Sequence, residues 1–261
     1  MVRKIWAMAL LAGCAASGQT EAPFSFEVAS VKQATPGPWR ESKTGVDRVD
    51  FSRVTLRYCL AFSYGVKEYQ ISGPSWLGEL RYDIVAKGPA GARREQLPSM
   101  MNALLTQRFQ LQAHAETREF NVFTLSVGKN GPKLKELPPD PNAEAIGAKF
   151  GISMTGSGVG KLEARNATMA SLANTLSRLL GQPAVDMTAL IGRYDLDLEY
   201  SPDDSRGMQV AMPAGGPLPV AAQPGASIFE SVQQYGLKLE ARKVPQKAIV
   251  VDHAEKVPSE N

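Results

Sequence analysis

The spacing of apolar residues changes several times along the chain and predicts both strands and helices. Apolar and polar residues alternate over 24–32, which is typical of a strand. After Thr55 the apolar residues recur at intervals of three and four as far as Gly65, which predicts a helix between a Thr cap and a glycine stop. Helical spacing returns over 93–107, so we expect an α+β protein.

This order of elements is predicted to occur twice. Arg81-Tyr82-Asp83 begins one alternating strand, and Arg193-Tyr194-Asp195 begins another. Each copy follows a predicted helix, which in the second half spans 168–180. The repeat indicates an internally duplicated fold with two similar lobes of strand, helix, strands, helix and hairpin, at 24–128 and 161–256.

Turns and loops complete the predicted lobes. We predict a hairpin turn over 116–119 in the first lobe and a hairpin return strand over 248–251 in the second. Residues 129–160 are rich in Gly and Pro and are predicted to connect the lobes. A further stretch of this composition, 201–226, is predicted to be an insertion in the second lobe.

The first fourteen residues predict an export signal. Arg3 and Lys4 precede an apolar run over 5–12 that is too short to cross a bilayer as a helix. The run ends in Leu11-Ala12-Gly13-Cys14, which resembles the lipobox of bacterial lipoproteins, whose cysteine carries the lipid. Cleavage at small residues within 15–19 is the alternative. We expect an exported protein that is periplasmic or anchored to a membrane through a lipid on Cys14.

Charge and cysteine content narrow the choice of partners. The formal net charge is +3 at pH 7, and loss of Arg3 and Lys4 with the signal lowers it to +1, which does not favour nucleic acid. Cys59 has no disulfide partner if Cys14 is lipidated. Its position on the apolar face of a predicted helix favours a small buried core residue.

Histidine provides one candidate for chemistry. The sequence contains two histidines, His114 and His253. His114 and Glu116 lie two residues apart, on one face of a predicted strand, where they could form an acid–base pair. An exposed polar strand is the favoured alternative, because no nucleophile or glycine elbow accompanies the pair.

An acidic strand provides a second candidate. Asp195, Asp197 and Glu199 alternate with apolar residues, which predicts three carboxylates on one strand face. Hard cations bind such oxygens, but the glycine turn and terminal glutamate of a calcium loop are missing. A solvated face is favoured over a metal site, with Lys161, Glu163 and Arg165 of a neighbouring strand as cross-strand partners.

Two further motifs favour structural roles. Trp76 follows a Gly-Pro turn and is predicted to plug the core rather than to form a ligand platform. Gly156, Gly158 and Gly160 alternate, but no helix begins directly after them, so a flexible linker is favoured over a phosphate cradle.

The motifs in this order resemble an uncharacterised, soil-associated bacterial family built on domain of unknown function 3738. Singly each match is weak, and together they cover nearly the whole chain. The matching stretches are 26–32, 69–77, 81–87, 108–109, 116–119, 131–134, 166–169, 192–195 and 250–256.

The resemblance implies an exported protein with no established activity, so it carries over no catalytic residue, cofactor or metal. Some family domains are fused to membrane metallopeptidase sensors, which implies a sensory role as one alternative. Each half is also similar, in its order of elements, to the short N-terminal domains of secretins and outer-membrane transducers, which dock periplasmic proteins. We expect a binding or scaffolding module for an envelope protein or peptide; the other alternative is an envelope hydrolase that uses His114 and nearby carboxylates.

Overall fold

The α+β class is confirmed by the computed structural model. It describes residues 25–35, 37, 42–155, 158–204 and 227–259. The predicted export signal with Cys14, Gly156 and residues 205–226 of the predicted insertion lie outside the described residues. Among the described residues, no helix is both long and apolar enough to cross a membrane.

The described residues form eleven strands and five α-helices. In chain order these are β1 (Val28–Gln33), β2 (Lys43–Thr44), β3 (Arg48–Thr55), α1 (Leu56–Tyr64), β4 (Ile71–Ser72), β5 (Arg81–Lys87), α2 (Leu97–Phe109), β6 (Gln112–Val127), α3 (Ala143–Ile146), β7 (Lys149–Met154), β8 (Gly160–Ala167), α4 (Met169–Leu180), β9 (Ala184–Asp186), β10 (Tyr194–Tyr200), α5 (Ile228–Gln234) and β11 (Leu237–His253).

The chain divides into two compact units. The first contains residues 1–114 and 249–261, and the second contains residues 115–248. These bounds differ from those of the predicted lobes, because residues 115–128 belong to the second unit and residues 249–256 to the first. Each unit therefore contains a strand segment that the sequence pattern had assigned to the other half.

Both predicted hairpins are wrong, because each is one long strand. β6 runs through residues 116–119, where a turn was predicted, and β11 runs into the predicted return strand over 248–251. The polar residues 116–119 include no Gly, Pro or Asn, so they continue the strand, with Glu116 half-buried and the other three exposed. In the first unit β4 pairs in parallel with the last part of β11, and in the second unit β9 pairs in parallel with β6.

The first unit contains the antiparallel sheet β1-β5-β3-β2. Alternate residues of β3 and β5, such as Phe51 and Ile84, are buried in one core with apolar residues of α1 and α2. The predicted first helix is confirmed: the Thr55 hydroxyl accepts a hydrogen bond from the Tyr58 backbone N–H, and Gly65 ends the helix in the left-handed conformation.

The second unit contains the antiparallel sheet β10-β8-β7. Its edge strand β7 lies within residues 129–160, which were predicted to be only a connector. The short apolar alternation of Phe150 and Ile152 is enough for a strand here, because β8 supplies a full antiparallel partner. The second predicted helix is confirmed as α4, and its Thr168 cap accepts a hydrogen bond from the Ser171 backbone N–H.

The first Arg-Tyr-Asp copy holds a β-bulge immediately before α1. Ser52 and Arg53 of β3 stand opposite the single residue Asp83 of β5, and Arg53 adopts a φ of 55°. The Asp83 Oδ1 atom accepts a hydrogen bond from the Arg53 backbone N–H at 2.8 Å. The Arg81 guanidinium donates to the Arg53 carbonyl at 2.9 Å. Both backbone groups of the bulge residue are thus satisfied by this motif.

The second copy makes the same set of contacts before α4. Asn166 of β8 adopts a φ of 52° at a bulge opposite Asp195. The Asp195 Oδ1 atom accepts a hydrogen bond from the Asn166 backbone N–H at 2.9 Å, and the Arg193 guanidinium donates to the Asn166 carbonyl at 3.1 Å. Internal duplication stays a prediction, and these matching contacts support it.

Candidate functional site

His114 lies in β6 and is hydrogen-bonded to Asp252 of β11. Its Nδ1 atom is 2.8 Å from the Asp252 Oδ2 atom, and the two side chains are 53% and 47% exposed. A carboxylate in this position can orient an imidazole. Glu116, the partner proposed from sequence, contacts Arg118. Sequence reasoning missed Asp252, because only the pairing of two strands far apart in the chain brings it to His114.

The three predicted carboxylates of β10 lie on the exposed face of the second unit's sheet. The Arg165 guanidinium binds Asp197 at 2.8 Å, which confirms one predicted cross-strand pair. This hydrogen bond raises the pKa of Arg165. Asp195 accepts a hydrogen bond from the Asn166 backbone N–H. Glu199 stands opposite Lys161 in the strand register.

These carboxylates do not assemble into a metal site. Lys161 forms its ion pair with Glu163 of its own strand at 2.8 Å, and the hydrogen bond raises the pKa of Lys161. No group of three His, Cys, Asp or Glu side chains with the geometry of a metal site occurs among the described residues. The exposed face of this sheet therefore carries acidic and basic side chains next to one another.

A groove of about 450 Å³ lies at one end of this sheet, in the second unit. Its charged and polar lining includes Lys149 at the start of β7 and Asp195 at the start of β10. Asn166 also lines the groove, and its side chain donates hydrogen bonds to the carbonyls of Ala143 and Gly147, on either side of Ile146. The apolar residues that line the groove are Leu137, Pro138, Pro139 and Ile146.

The remaining candidates lie in the first unit. Trp76 is half-buried and packs against the core, next to the fully buried Leu77. Cys59 is fully buried in α1, and burial raises the pKa of its thiol, so it is not poised to act as a nucleophile. Two cavities of about 400 and 370 Å³ share Arg108 and Ser259 in their linings.

Comparison with known families decides the identity. Residues 57–254 match the family described as protein of unknown function (DUF3738). The chain belongs to this family. The region matched to DUF3738 contains both Arg-Tyr-Asp copies, the groove and every candidate residue except Cys14. No curated protein and no solved structure matches this DUF3738 chain.

Proposed function

We propose that the protein is an exported module of the cell envelope that binds a protein partner and is not an enzyme. The observation that carries the proposal is the groove of the second unit. Its occupant, on this proposal, is an extended peptide segment of another envelope protein.

The chemistry of the groove supports a peptide as its occupant. Leu137, Pro138 and Pro139 form a wall whose prolines have few conformations to lose, and Ile146 is 51% exposed beside it. An exposed isoleucine next to prolines gives an apolar side chain a surface to bury. Lys149 on the same lining gives a carboxylate of the peptide an ionic partner.

The neighbouring strand supports an extended conformation for that peptide. β7 stands at the edge of the sheet β10-β8-β7, and Lys149 is its first residue. An edge strand offers backbone N–H and C=O groups with which a peptide can extend the sheet. Side chains of alternate peptide residues would then reach the groove.

The test is affinity capture from envelope extracts, read by mass spectrometry. The full-length protein should recover a reproducible partner, and Ile146→Glu should lose it, because a charge replaces the apolar contact. Met187→Glu is the matched control, since Met187 is 53% exposed in the same unit but does not line the groove. Equal recovery of the partner by Ile146→Glu and the wild-type protein would contradict the proposed site.

The proposed envelope location has its own test. Cell fractionation should place the wild-type protein in the membrane fraction and a Cys14→Ala variant in the soluble exported fraction, because the variant lacks the lipid attachment atom. A Cys14→Ala variant that stays in the membrane fraction would contradict the lipid anchor without bearing on the groove.

A hydrolase is the second candidate, and the His114–Asp252 hydrogen bond is the observation that favours it. The imidazole would act as general base toward a water molecule, with Asp252 orienting the ring. A purified sample should then hydrolyse an ester, peptide or glycan substrate, with activity lost in His114→Ala and Asp252→Ala. Hydrolysis that survives both substitutions would exclude this pair as its source.

A further inference from the structure

The outward face of the first unit's sheet carries an excess of positive charge. Core residues such as Val49, Phe51, Tyr82 and Ile84 point to the other side of the sheet, so their strand neighbours point outward. We call this outward surface the basic face. Its residues are Val28, Ser30, Lys32, Lys43, Arg48, Asp50, Ser52, Arg81, Asp83, Val85 and Lys87.

The strand register places two of the cations side by side. Lys87 of β5 stands opposite Val28 of β1 on one side and opposite Arg48 of β3 on the other. In the next outward row Val85 stands between Ser30 and Asp50. At the two edges, Lys43 of β2 stands opposite Asp50 and Lys32 of β1 stands opposite Asp83.

The carboxylates of the basic face do not balance these cations. Five cationic side chains share the face with two carboxylates, Asp50 and Asp83. Asp83 and the cation Arg81 are both hydrogen-bonded to the backbone of Arg53. The face therefore has a net excess of three positive charges.

Two valines of the basic face are exposed between the cations. The exposed fraction is 66% for Val28 and 43% for Val85. The alternate positions of a merely solvated strand are normally polar. Amphipathic helices that lie in a bilayer interface combine Lys and Arg with apolar side chains, and the basic face combines the same two kinds of side chain.

The second unit shows that the fold itself does not require a basic face. The outward positions of β10, β8 and β7 include the three carboxylates of β10 and Glu163, against Lys149, Lys161 and Arg165. With Arg193, the counterpart of Arg81, that face has four acidic and four basic side chains and therefore no net charge. The positive sign is thus particular to the first unit.

The number of residues before β1 limits the distance between the basic face and the expected lipid. Thirteen residues separate Cys14 from Val28, the first residue of β1. An extended segment of this length spans at most about 45 Å. A lipid on Cys14 would therefore hold the edge of the basic face within that distance of the bilayer.

We propose that the basic face docks on a bilayer surface rich in anionic lipids. Lys32, Arg48 and Lys87 would lie at the phosphate level, while Val28 and Val85 would reach the acyl boundary. This inference rests on the proposed envelope location, but its surface lies wholly in the first unit and is independent of the groove.

The test uses full-length mature protein without lipid, beginning at Ala15, and sedimentation with vesicles. Vesicles of mixed phosphatidylglycerol and phosphatidylcholine should bind it at least about tenfold more strongly than pure phosphatidylcholine at low salt. The triple variant Lys32→Glu, Arg48→Glu, Lys87→Glu should lose this preference. Equal binding of the wild-type protein to both vesicles, or to neither, would overturn the proposal.

A matched triple variant separates the basic face from net charge. Lys129→Glu, Lys133→Glu and Lys135→Glu change the net charge equally, and all three lysines are exposed in the second unit. This control should keep the binding to anionic vesicles within about twofold, because its three lysines are not part of the basic face. An equal loss in the control would overturn the proposal in favour of a nonspecific charge effect.

Two further variants keep the test independent of folding. Val28→Ser with Val85→Ser should weaken binding several-fold while the residual binding stays salt-sensitive, because only the apolar contact is removed.

If the Glu triple variant loses its native circular dichroism, the triple Gln variant at the same three positions takes its place. Unchanged vesicle binding by a folded Gln variant would overturn the role of the face. Failure of the envelope location would appear in fractionation and not in these vesicle assays.

Discussion

The carboxylate of Asp83 accepts a hydrogen bond of 2.8 Å from the backbone N–H of Arg53, a residue held at a φ of 55°. Non-glycine residues adopt this left-handed conformation only where surrounding contacts compensate for it. Asp195 and Asn166 form the corresponding contact at 2.9 Å. The aspartate of each Arg-Tyr-Asp motif therefore stabilises a bulge that directs the chain from a strand into a capped helix.

Removal of either carboxylate should destabilise the protein. Asp83→Ala and Asp195→Ala leave a backbone N–H without its charged acceptor, so each should lower the free energy of unfolding by about 1–2 kcal/mol. Asp83→Asn keeps an acceptor oxygen and should lower it less. Glu79→Ala, an exposed carboxylate in the first unit, is the control for charge removal. Urea unfolding measures all four, and equal stability of Asp83→Ala and Glu79→Ala would contradict the role of the contact.

Gly160 is a position where a single added methyl group should destabilise the protein. It stands opposite Tyr200 in the sheet, and a Cβ atom on Gly160 would overlap the buried Tyr200 ring. Gly160→Ala should lower the free energy of unfolding by about 1–3 kcal/mol. Gly151→Ala in the adjacent strand β7 is the control, because its Cβ would meet Glu163 at an ordinary 3.7 Å. Thermal unfolding of the two variants should differ clearly, and a similar melting temperature would count against the overlap.

A substitution to glycine should stabilise the turn before β10. Ala189 adopts a φ of 59° next to Thr188, whose backbone N–H and hydroxyl both donate to the Asp186 carboxylate. Ala189→Gly removes the unfavourable Cβ contact and should raise the free energy of unfolding by up to about 1 kcal/mol. Ala170→Gly, at an exposed position of α4, should lower it by about 1 kcal/mol. Opposite signs in urea unfolding are the expected result, and destabilisation by both would refute the strain at Ala189.

The parts of the fold that sequence predicted are those set by local chemistry. Thr55 and Thr168 mark helix starts because their hydroxyls satisfy backbone N–H groups within the next turn. Gly65 and Gly181 mark helix ends because both adopt the left-handed conformation. These signals need no knowledge of distant residues.

The parts that sequence missed depend on contacts between distant segments. The polar residues 116–119 have the composition of an exposed strand as much as of a turn, and only the neighbouring strand decides between them. β7 is recognisable only through its pairing with β8. The same applies to the candidate site: Asp252 reaches His114, and residues 137–146 reach Asp195, only in the folded chain.

Two buried tyrosines should respond differently to loss of their hydroxyl groups. The Tyr82 hydroxyl donates a 2.7 Å hydrogen bond to the Lys256 carbonyl, whereas the Tyr200 hydroxyl is buried without a hydrogen-bond partner among the described residues. Tyr82→Phe should lower the free energy of unfolding by about 1 kcal/mol, and Tyr200→Phe should leave it unchanged or raise it. Urea unfolding of the two variants at neutral pH checks this. A larger loss for Tyr200→Phe would contradict the assignment.

Alkaline pH should destabilise the protein, in part through Tyr82. Burial raises the pKa of Tyr82 from 10.0 to about 12, so the native state keeps a proton that the unfolded chain releases near pH 10. The contribution of this group to stability is complete below pH 10 and is lost as the pH rises to about 12. Burial raises the pKa of Cys59 and of Tyr58 as well, which acts in the same direction.

Because phenylalanine does not titrate, Tyr82→Phe should lose less stability than the wild-type protein between about pH 9 and about pH 11. Urea unfolding across this range measures both slopes, and identical slopes would show that Tyr82 does not contribute to the alkaline transition.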